Sequence, residues 1–365
     1  MSAQDRVNYK KVSATTTWRR EGYTKPRGLQ ICGHFGLAQK HSARLSNELA
    51  PAWESCSAFE WVAFAYLGLS GALMVTFAGN LEHPFRLIAL QASVALGILF
   101  LCRIENLYRQ DDAWGGSLVK RFWHFWRHWY PHLFFLFCFE ELGHLMLLIS
   151  PQWQDAKLIA LDRWLTGVNP VLWLNQFATP ARNDFMQFAY LTYFLYLLVL
   201  GGILYYRRDW HAYWSVMTYS AVAYALGYVI AISFPIESPW FSMANLWQNN
   251  LQGGPFTAAI TFIEHFGRVR GAAFPSEHVA GSVAALLGAW RHRRWLFWFM
   301  LPLVLFMCVS TVWGRYHYVA DVFGGVITGT LGYWIASRIM QLPRAMPQDS
   351  YSSGRRRFGC APSYQ

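Results

Sequence analysis

Two histidines and an aspartate are the residues of this chain whose types and spacing could carry out chemistry. His317 precedes Asp321 by four positions, and His278 lies 39 residues before His317. Residues four apart share one face of a helix, so Asp321 could bind one imidazole nitrogen of His317 and leave the other nitrogen free to attack. His278 could act as the general acid for a departing oxygen. These three groups are suited to phosphoryl transfer.

The elements that must position these residues are the starts of two apolar segments. Pro275 and Ser276 stand directly before the segment that contains His278, and this pair is typical of a helix start with Ser276 as the N-cap. The second segment begins at the His317 motif. A helix N-terminus presents unpaired N–H groups and the positive end of the helix dipole, which together favour phosphate binding. We therefore expect both helix starts to face one phosphate.

Composition places most of the chain in a membrane. Of 365 residues, 54% are hydrophobic and only 14% are charged, whereas soluble domains average about 25% charged residues. A membrane span needs about 20 apolar residues, and the sequence predicts an all-α polytopic membrane helix bundle of about eight transmembrane helices. The predicted spans are 60–79, 85–103, 131–149, 185–206, 212–234, 277–290, 295–313 and 318–340.

Charge predicts the orientation of this bundle. The net charge is +11, and the basic residues collect in the two tails and in the loops after the second, fourth and sixth spans, with Arg127 counted among them. All five segments fall on one side if eight spans alternate, and the positive-inside rule makes that side the cytoplasm. Both termini are then cytoplasmic and the histidines lie near the non-cytoplasmic face. This distribution indicates contact with anionic lipid rather than with nucleic acid.

On the non-cytoplasmic side the two long connections are 150–184 and 235–276. Long connections in a compact membrane domain are often functional. Residues 158–165 form a short amphipathic stretch that could lie flat in the membrane interface. This stretch could shield the bundle or take part in substrate binding.

The third predicted span contains a second group of ionisable residues. They are His132, Glu140, Glu141 and His144, and the last three fall in its outer half. Glu140 and His144 are four apart and could pair. A buried structural network is one interpretation, and recognition of a headgroup or acceptance of a proton is the other.

The motif Pro-Ser-x-His followed by His-x-x-x-Asp resembles the type 2 phosphatidic acid phosphatase superfamily. The resemblance covers roughly residues 125–340. It implies a six-helix membrane core, a phosphohistidine intermediate, and neither metal nor cofactor. Carried over to this chain, it makes His317 the nucleophile, Asp321 its partner and His278 the acid, with Ser276 in contact with phosphate. The chain then divides into a basic cytoplasmic tail (1–55), two additional helices with a basic loop (56–124), the catalytic domain (125–340) and a second basic tail (341–365).

The chain departs from this family pattern at two positions and in one motif. Glu277 stands where a glycine is common, Thr311 stands where an arginine is usual, and the usual first motif is not recognisable. Residues 311–318 instead resemble the branch that contains inositol phosphorylceramide synthase and related inositolphosphotransferases. Other features similar to that branch are Asp162 with Arg163, Gly167, Pro170, Tyr190, Tyr193, Phe234 with Pro235, and Ser238 with Pro239.

Other cations must therefore neutralise the phosphate. The branch would often have an arginine where this chain has Trp240. Arg315 is the first candidate, followed by Arg268 and Arg270, because these are the basic residues close to the motifs on the outer side.

The function that the sequence predicts is a membrane phosphatase or phosphotransferase acting on lipid phosphates, with an inositolphosphotransferase as one form of it. Membrane lipids and a lipid phosphate substrate are the expected partners, without nucleic acid. A non-catalytic lipid-binding or lipid-transport protein of the same fold is the alternative. A third hypothesis is a metal-dependent hydrolase, with a metal site built from His278, His317 and Asp321.

Overall fold

The computed structural model describes residues 52–108, 117–247, 251–267 and 269–341, and these ranges contain helices and turns but no strand. The predicted all-α fold is confirmed. The helices are α1 (Ala58–Thr76), α2 (Pro84–Tyr108), α3 (Leu118–Leu145), α4 (Asp155–Thr166), α5 (Pro170–Asn175), α6 (Pro180–Leu191), α7 (Tyr193–Tyr206), α8 (Trp210–Ser233), α9 (Pro239–Ser242), α10 (Pro255–Gly267), α11 (Glu277–His292), α12 (Arg294–Trp313) and α13 (Val319–Ile339). Almost all of both predicted tails lies outside the described residues.

Six helical segments among the described residues are long and apolar enough to cross a membrane. They are α1, most of α2, α6 with α7, α8, α12 and α13, and each coincides with a predicted span. The other two predicted spans coincide with α3 and α11. The first half of α3 is rich in basic residues, and α11 has only 16 residues. The count of eight spans therefore stays a prediction.

Arg127 is not the loop residue that the sequence analysis assumed. It lies inside α3, is buried, and forms an ion pair of 2.7 Å with the buried Glu60 of α1. Its guanidinium also lies 4.3 Å from the ring centre of Trp214. Helix α3 begins at Leu118, well before the predicted start, so Arg127 adds nothing to the charge difference between loops. The orientation of the bundle stays a prediction from the remaining charges.

Helix α8 occupies the centre of the bundle, where it packs against α1, α11 and α13. Two glycines let α13 approach α11 closely. A Cβ on Gly325 would lie 2.5 Å from the carbonyl oxygen of Ser276, and a Cβ on Gly329 would lie 2.6 Å from that of Ala280. Such contacts leave no room for a larger residue. They hold the first turns of both helices side by side, which is the arrangement the two motifs require.

The fourth predicted span is interrupted where α6 ends and α7 begins. Thr192 lies at the break, and its hydroxyl donates to the carbonyl oxygen of Ala189 at 2.5 Å and lies 2.5 Å from the Tyr196 hydroxyl. A threonine that bonds to the preceding turn is a known cause of helix bending. The break falls between Tyr190 and Tyr193, and both rings lie against His278.

Candidate active site

The structure brings the two histidines into contact. His278 Nδ1 lies 3.3 Å from His317 Nε2, and the ring planes are close to perpendicular with centroids 5.4 Å apart. His278 belongs to the first turn of α11, and His317 stands two residues before α13. The close packing of α11 against α13 is what places the two side chains together.

The Nδ1 atom of His317 faces away from His278 and has two acceptors near it. The carbonyl oxygen of Ala273 lies at 2.8 Å, whereas Asp321 Oδ2 lies at 3.5 Å. Because a carbonyl oxygen can only accept, Nδ1 carries the proton and Nε2 is the nitrogen with a free lone pair. The sequence analysis named Asp321 as the partner of His317 and had no signal for Ala273. In the structure the nearer acceptor is the backbone carbonyl, and Asp321 Oδ2 accepts the N–H of Tyr318 at 2.7 Å.

His278 is held by a residue to which the sequence analysis gave no role. Its Nε2 atom lies 2.7 Å from the hydroxyl of Tyr190, and the two rings are 5.0 Å apart. Tyr190 had been noted only for its similarity to the inositolphosphotransferase branch. One ring nitrogen of His278 contacts Tyr190 and the other faces His317, so both nitrogens have a partner and the orientation of the imidazole is fixed.

Ser276 is the N-cap of α11, as its position after Pro275 predicts. Its hydroxyl accepts the N–H of Val279 at 3.4 Å, and its own N–H donates to the carbonyl oxygen of Asp321 at 3.0 Å. Ser276 is fully buried beside both histidine-bearing segments. Its contact with phosphate stays a prediction.

The start of α13 is not an open anion site, contrary to the expectation for both helices. Asp162 accepts the N–H groups of Val319 and Ala320 at 2.9 and 2.8 Å, so a carboxylate from α4 already occupies this helix N-terminus. Burial raises the pKa of Asp162, and its two backbone bonds act in the opposite direction. The amphipathic stretch at 158–165 is thus a helix whose buried face fixes the segment that carries His317.

A second aspartate of α4 extends this support. Asp155 accepts the N–H groups of Glu237 and Ser238 at 2.9 and 3.2 Å, and it also accepts the hydroxyl of Tyr318 at 2.8 Å. The carboxylate therefore ties the start of α4 to the segment that precedes α9 and to the residue that follows His317.

Of the candidate arginines, Arg315 and Arg270 lie within the described residues, and neither lines the cavity that contains the histidines. Arg315 is buried with its Nη2 atom 2.5 Å from Asn175 Oδ1 and its guanidinium 4.1 Å from the ring centre of Trp247. Burial lowers the pKa of Arg315 to about 10, so it stays cationic at neutral pH. Arg270 is 63% exposed and pairs with Glu237. Arg268 lies outside the described residues.

Both histidines open onto a cavity of about 430 Å³. Its walls are mostly aromatic and aliphatic, and its polar groups include Glu140, Glu264 and Glu277. Leu136 of α3 and Leu198 of α7 line the cavity and are solvent-exposed. The cavity is therefore open near these two helices rather than enclosed. Among the described residues no lysine or arginine lines it.

The ionisable group of α3 does not form one network. Glu140 lines the cavity and His144 is exposed, and the described residues show no ion pair between them, so the possible pairing is not formed in this structure. Glu141 is buried, and Gln91 of α2 donates to the hydroxyl of Ser70 at 2.6 Å. Both Glu140 and His144 are exposed, but only Glu140 lines the cavity. In the described part of the chain, no group of three or more His, Cys, Asp or Glu side chains could hold a metal ion.

Comparison with known proteins bears on this site. Residues 156–335 match the family model of the PAP2 superfamily. The matched region contains both histidines, Asp321 and Asp162. It supports the resemblance to this superfamily that the motifs indicate. Neither curated proteins nor solved structures gave a significant match to the chain. Together with the six apolar helices, the match supports an integral membrane protein similar to lipid phosphatases.

Proposed function

We propose that this protein is an integral membrane phosphatase or phosphotransferase that attacks lipid phosphates with His317 Nε2. One observation carries the proposal: the free nitrogen of His317 faces His278 across 3.3 Å at the wall of a largely apolar cavity. An apolar cavity that reaches the outer surface of the bundle suits a lipid, and two directed imidazoles suit attack and proton transfer at one phosphorus atom.

The proposed reaction has two steps. In the first, the lone pair of His317 Nε2 forms a bond to phosphorus while the bond from phosphorus to the leaving alcohol oxygen breaks, and His278 gives that oxygen a proton. In the second, water or a second alcohol gives its proton to His278 and attacks phosphorus, which breaks the nitrogen–phosphorus bond and restores His317. Water as the acceptor makes the protein a phosphatase, and an alcohol makes it a transferase.

Substrate binding must separate the two imidazoles. Their nitrogens are at hydrogen-bond distance from one another, which leaves no room for a phosphorus atom between them. His317 is fixed by a backbone carbonyl, that of Ala273, and by the close packing of the α13 start, whereas His278 is held by the side chains of Tyr190 and Tyr193. We therefore expect His278 to be the residue that moves when phosphate enters.

The test compares purified wild-type protein with His317→Ala on a panel of lipid phosphates. The panel contains phosphatidic acid, phosphatidylethanolamine, phosphatidylcholine and phosphatidylinositol, each with water or an added lipid alcohol as the acceptor. We expect His317→Ala to lose turnover and the alkali-stable phosphorus label that wild type acquires on histidine. His211→Ala is the matched control, because His211 is exposed at the start of α8.

The outcomes separate the three functions that the sequence allows. Full activity of His317→Ala would refute the proposed nucleophile. Lipid binding by wild type without turnover and without a covalent label would instead identify a lipid-binding or transport protein. Loss of activity with a chelator would identify a metal-dependent hydrolase. Transfer from phosphatidylinositol would support the inositolphosphotransferase branch that residues 311–318 resemble.

A further inference from the structure

Glu277 is a buried carboxylate that the proposed reaction does not use. It is 3% exposed, it lines the cavity, and neither of its carboxylate oxygens has a hydrogen-bond partner among the described residues. An isolated carboxylate in an apolar environment is costly unless a cation or a proton compensates its charge. A proton or a bound cation must therefore compensate Glu277, because no lysine or arginine among the described residues lines the cavity.

The fold makes specific room for this side chain. The carboxylate of Glu277 lies directly over Gly227 of α8, so closely that a Cβ at position 227 would overlap it. Glu277 also stands where the family pattern commonly has glycine, next to His278. The absence of a side chain at Gly227 thus leaves space for the carboxylate of Glu277, which is adjacent in sequence to His278.

The chemistry around Glu277 favours a cation as its ligand. Among the described residues the cavity contains two further glutamates, Glu140 and Glu264, and no basic side chain other than histidine. The aromatic rings of Tyr190, Tyr193 and further tyrosines form its walls, and aromatic faces attract ammonium groups. A polyol would bond to these groups without neutralising the buried charge, so it compensates Glu277 less well than an ammonium does.

We infer that the donor lipid carries a headgroup ammonium, as in a phosphoethanolamine or phosphocholine ester, and that Glu277 binds this ammonium while the histidines engage the adjoining phosphate. The inference rests on the proposed function, because it names the substrate class for the same site. A zwitterionic phosphodiester adds no net charge to the acidic cavity. A phosphomonoester would bring one or two uncompensated negative charges beside three carboxylates.

The activity test compares wild type, Glu277→Gln and Glu277→Gly on matched lipids with the same acyl chains. Wild type should turn over phosphatidylethanolamine or phosphatidylcholine with a higher kcat/KM than phosphatidylinositol or phosphatidic acid. The neutral amide should lower kcat/KM for the ammonium lipids roughly 10- to 100-fold, the effect of losing a bond to a charged group, and leave phosphatidylinositol unchanged. Glu277→Gly, the family residue, should lose the same preference. Glu82→Gln is the control, because Glu82 is an exposed glutamate outside the cavity.

A binding test separates this inference from the proposed reaction. In the His317→Ala background, lysophosphatidylethanolamine, lysophosphatidylinositol and lysophosphatidic acid are titrated in detergent and followed by tryptophan fluorescence. The ethanolamine lipid should bind most tightly, and Glu277→Gln should weaken only that lipid, roughly 10-fold or more. This result can hold even if no turnover is found, in which case only the proposed reaction fails. Equal weakening of all three lipids, or a preference for the inositol lipid that Glu277→Gln does not alter, would overturn the ammonium assignment.

Discussion

Asp162 provides the sharpest test of how the site is positioned. Its carboxylate accepts two N–H groups, from the partly buried Val319 and the buried Ala320, at the start of the helix that follows His317. Each buried donor left without a partner costs about 1–3 kcal/mol. Asp162→Asn keeps one acceptor oxygen and should lose about 1–3 kcal/mol. Asp162→Ala leaves both donors unpaired and should lose about 2–6 kcal/mol.

The effect on activity should exceed the effect on folding. Displacement of a reacting group by about 1 Å can cost roughly 100-fold in rate, so Asp162→Asn should reduce turnover at least 10-fold at a temperature where it is fully folded. Thermal unfolding in detergent, followed by tryptophan fluorescence, and turnover of the preferred lipid phosphate are measured on the same samples. Arg163→Gln is the control, because Arg163 is exposed on the same helix. If Asp162→Asn matches that control in both stability and turnover, the positioning argument is wrong.

Two further predictions address other contacts. Tyr190→Phe removes the hydroxyl that lies 2.7 Å from His278 Nε2, so kcat should fall roughly 10-fold with little change in KM; an unchanged pH–rate profile together with an unchanged kcat would contradict the contact. Arg127→Ala leaves the buried carboxylate of Glu60 without its ion pair, which should cost about 3–5 kcal/mol of stability. The exposed Arg121 of the same helix is its control, and equal unfolding midpoints for Arg121→Ala and Arg127→Ala would rule out this cost.

The sequence predicts those parts of the fold that follow from local hydropathy. Runs of apolar residues fix α8, α12 and α13 to within a few residues of their observed ends. Hydropathy does not detect the first turns of α3, because they contain Lys120 and Arg121, so it places the start of this helix too late. The pairing of Arg127 with Glu60 is a contact between distant parts of the chain, and no local pattern announces it. The positive-inside rule therefore counts Arg127 wrongly as a loop charge, because this residue is buried within the bundle.

The candidate site was predictable where two helix starts carry its residues. Ser276, His278 and His317 follow from motif and helix periodicity, and the glycines of α13 explain why the two starts meet. The supporting contacts were not predictable in the same way. Ala273 supports His317 through its backbone carbonyl, and a carbonyl is present at every position of the sequence. Asp162 had a signal, as part of a motif similar to the inositolphosphotransferase branch, but its role depends on how α4 folds back onto α13.

The capping of α13 by Asp162 also changes which helix can bind phosphate. With the N–H groups of Val319 and Ala320 occupied, the positive end of α13 is already compensated by a carboxylate. The N–H groups of the first residues of α11, which include His278, have no such carboxylate partner among the described residues. Phosphate should therefore lie over the start of α11, on the side of His278 that faces His317. In the proposed reaction, phosphate in that position would bring an attached headgroup close to Glu277, so the capping contact that fixes His317 would also favour the inferred ammonium contact.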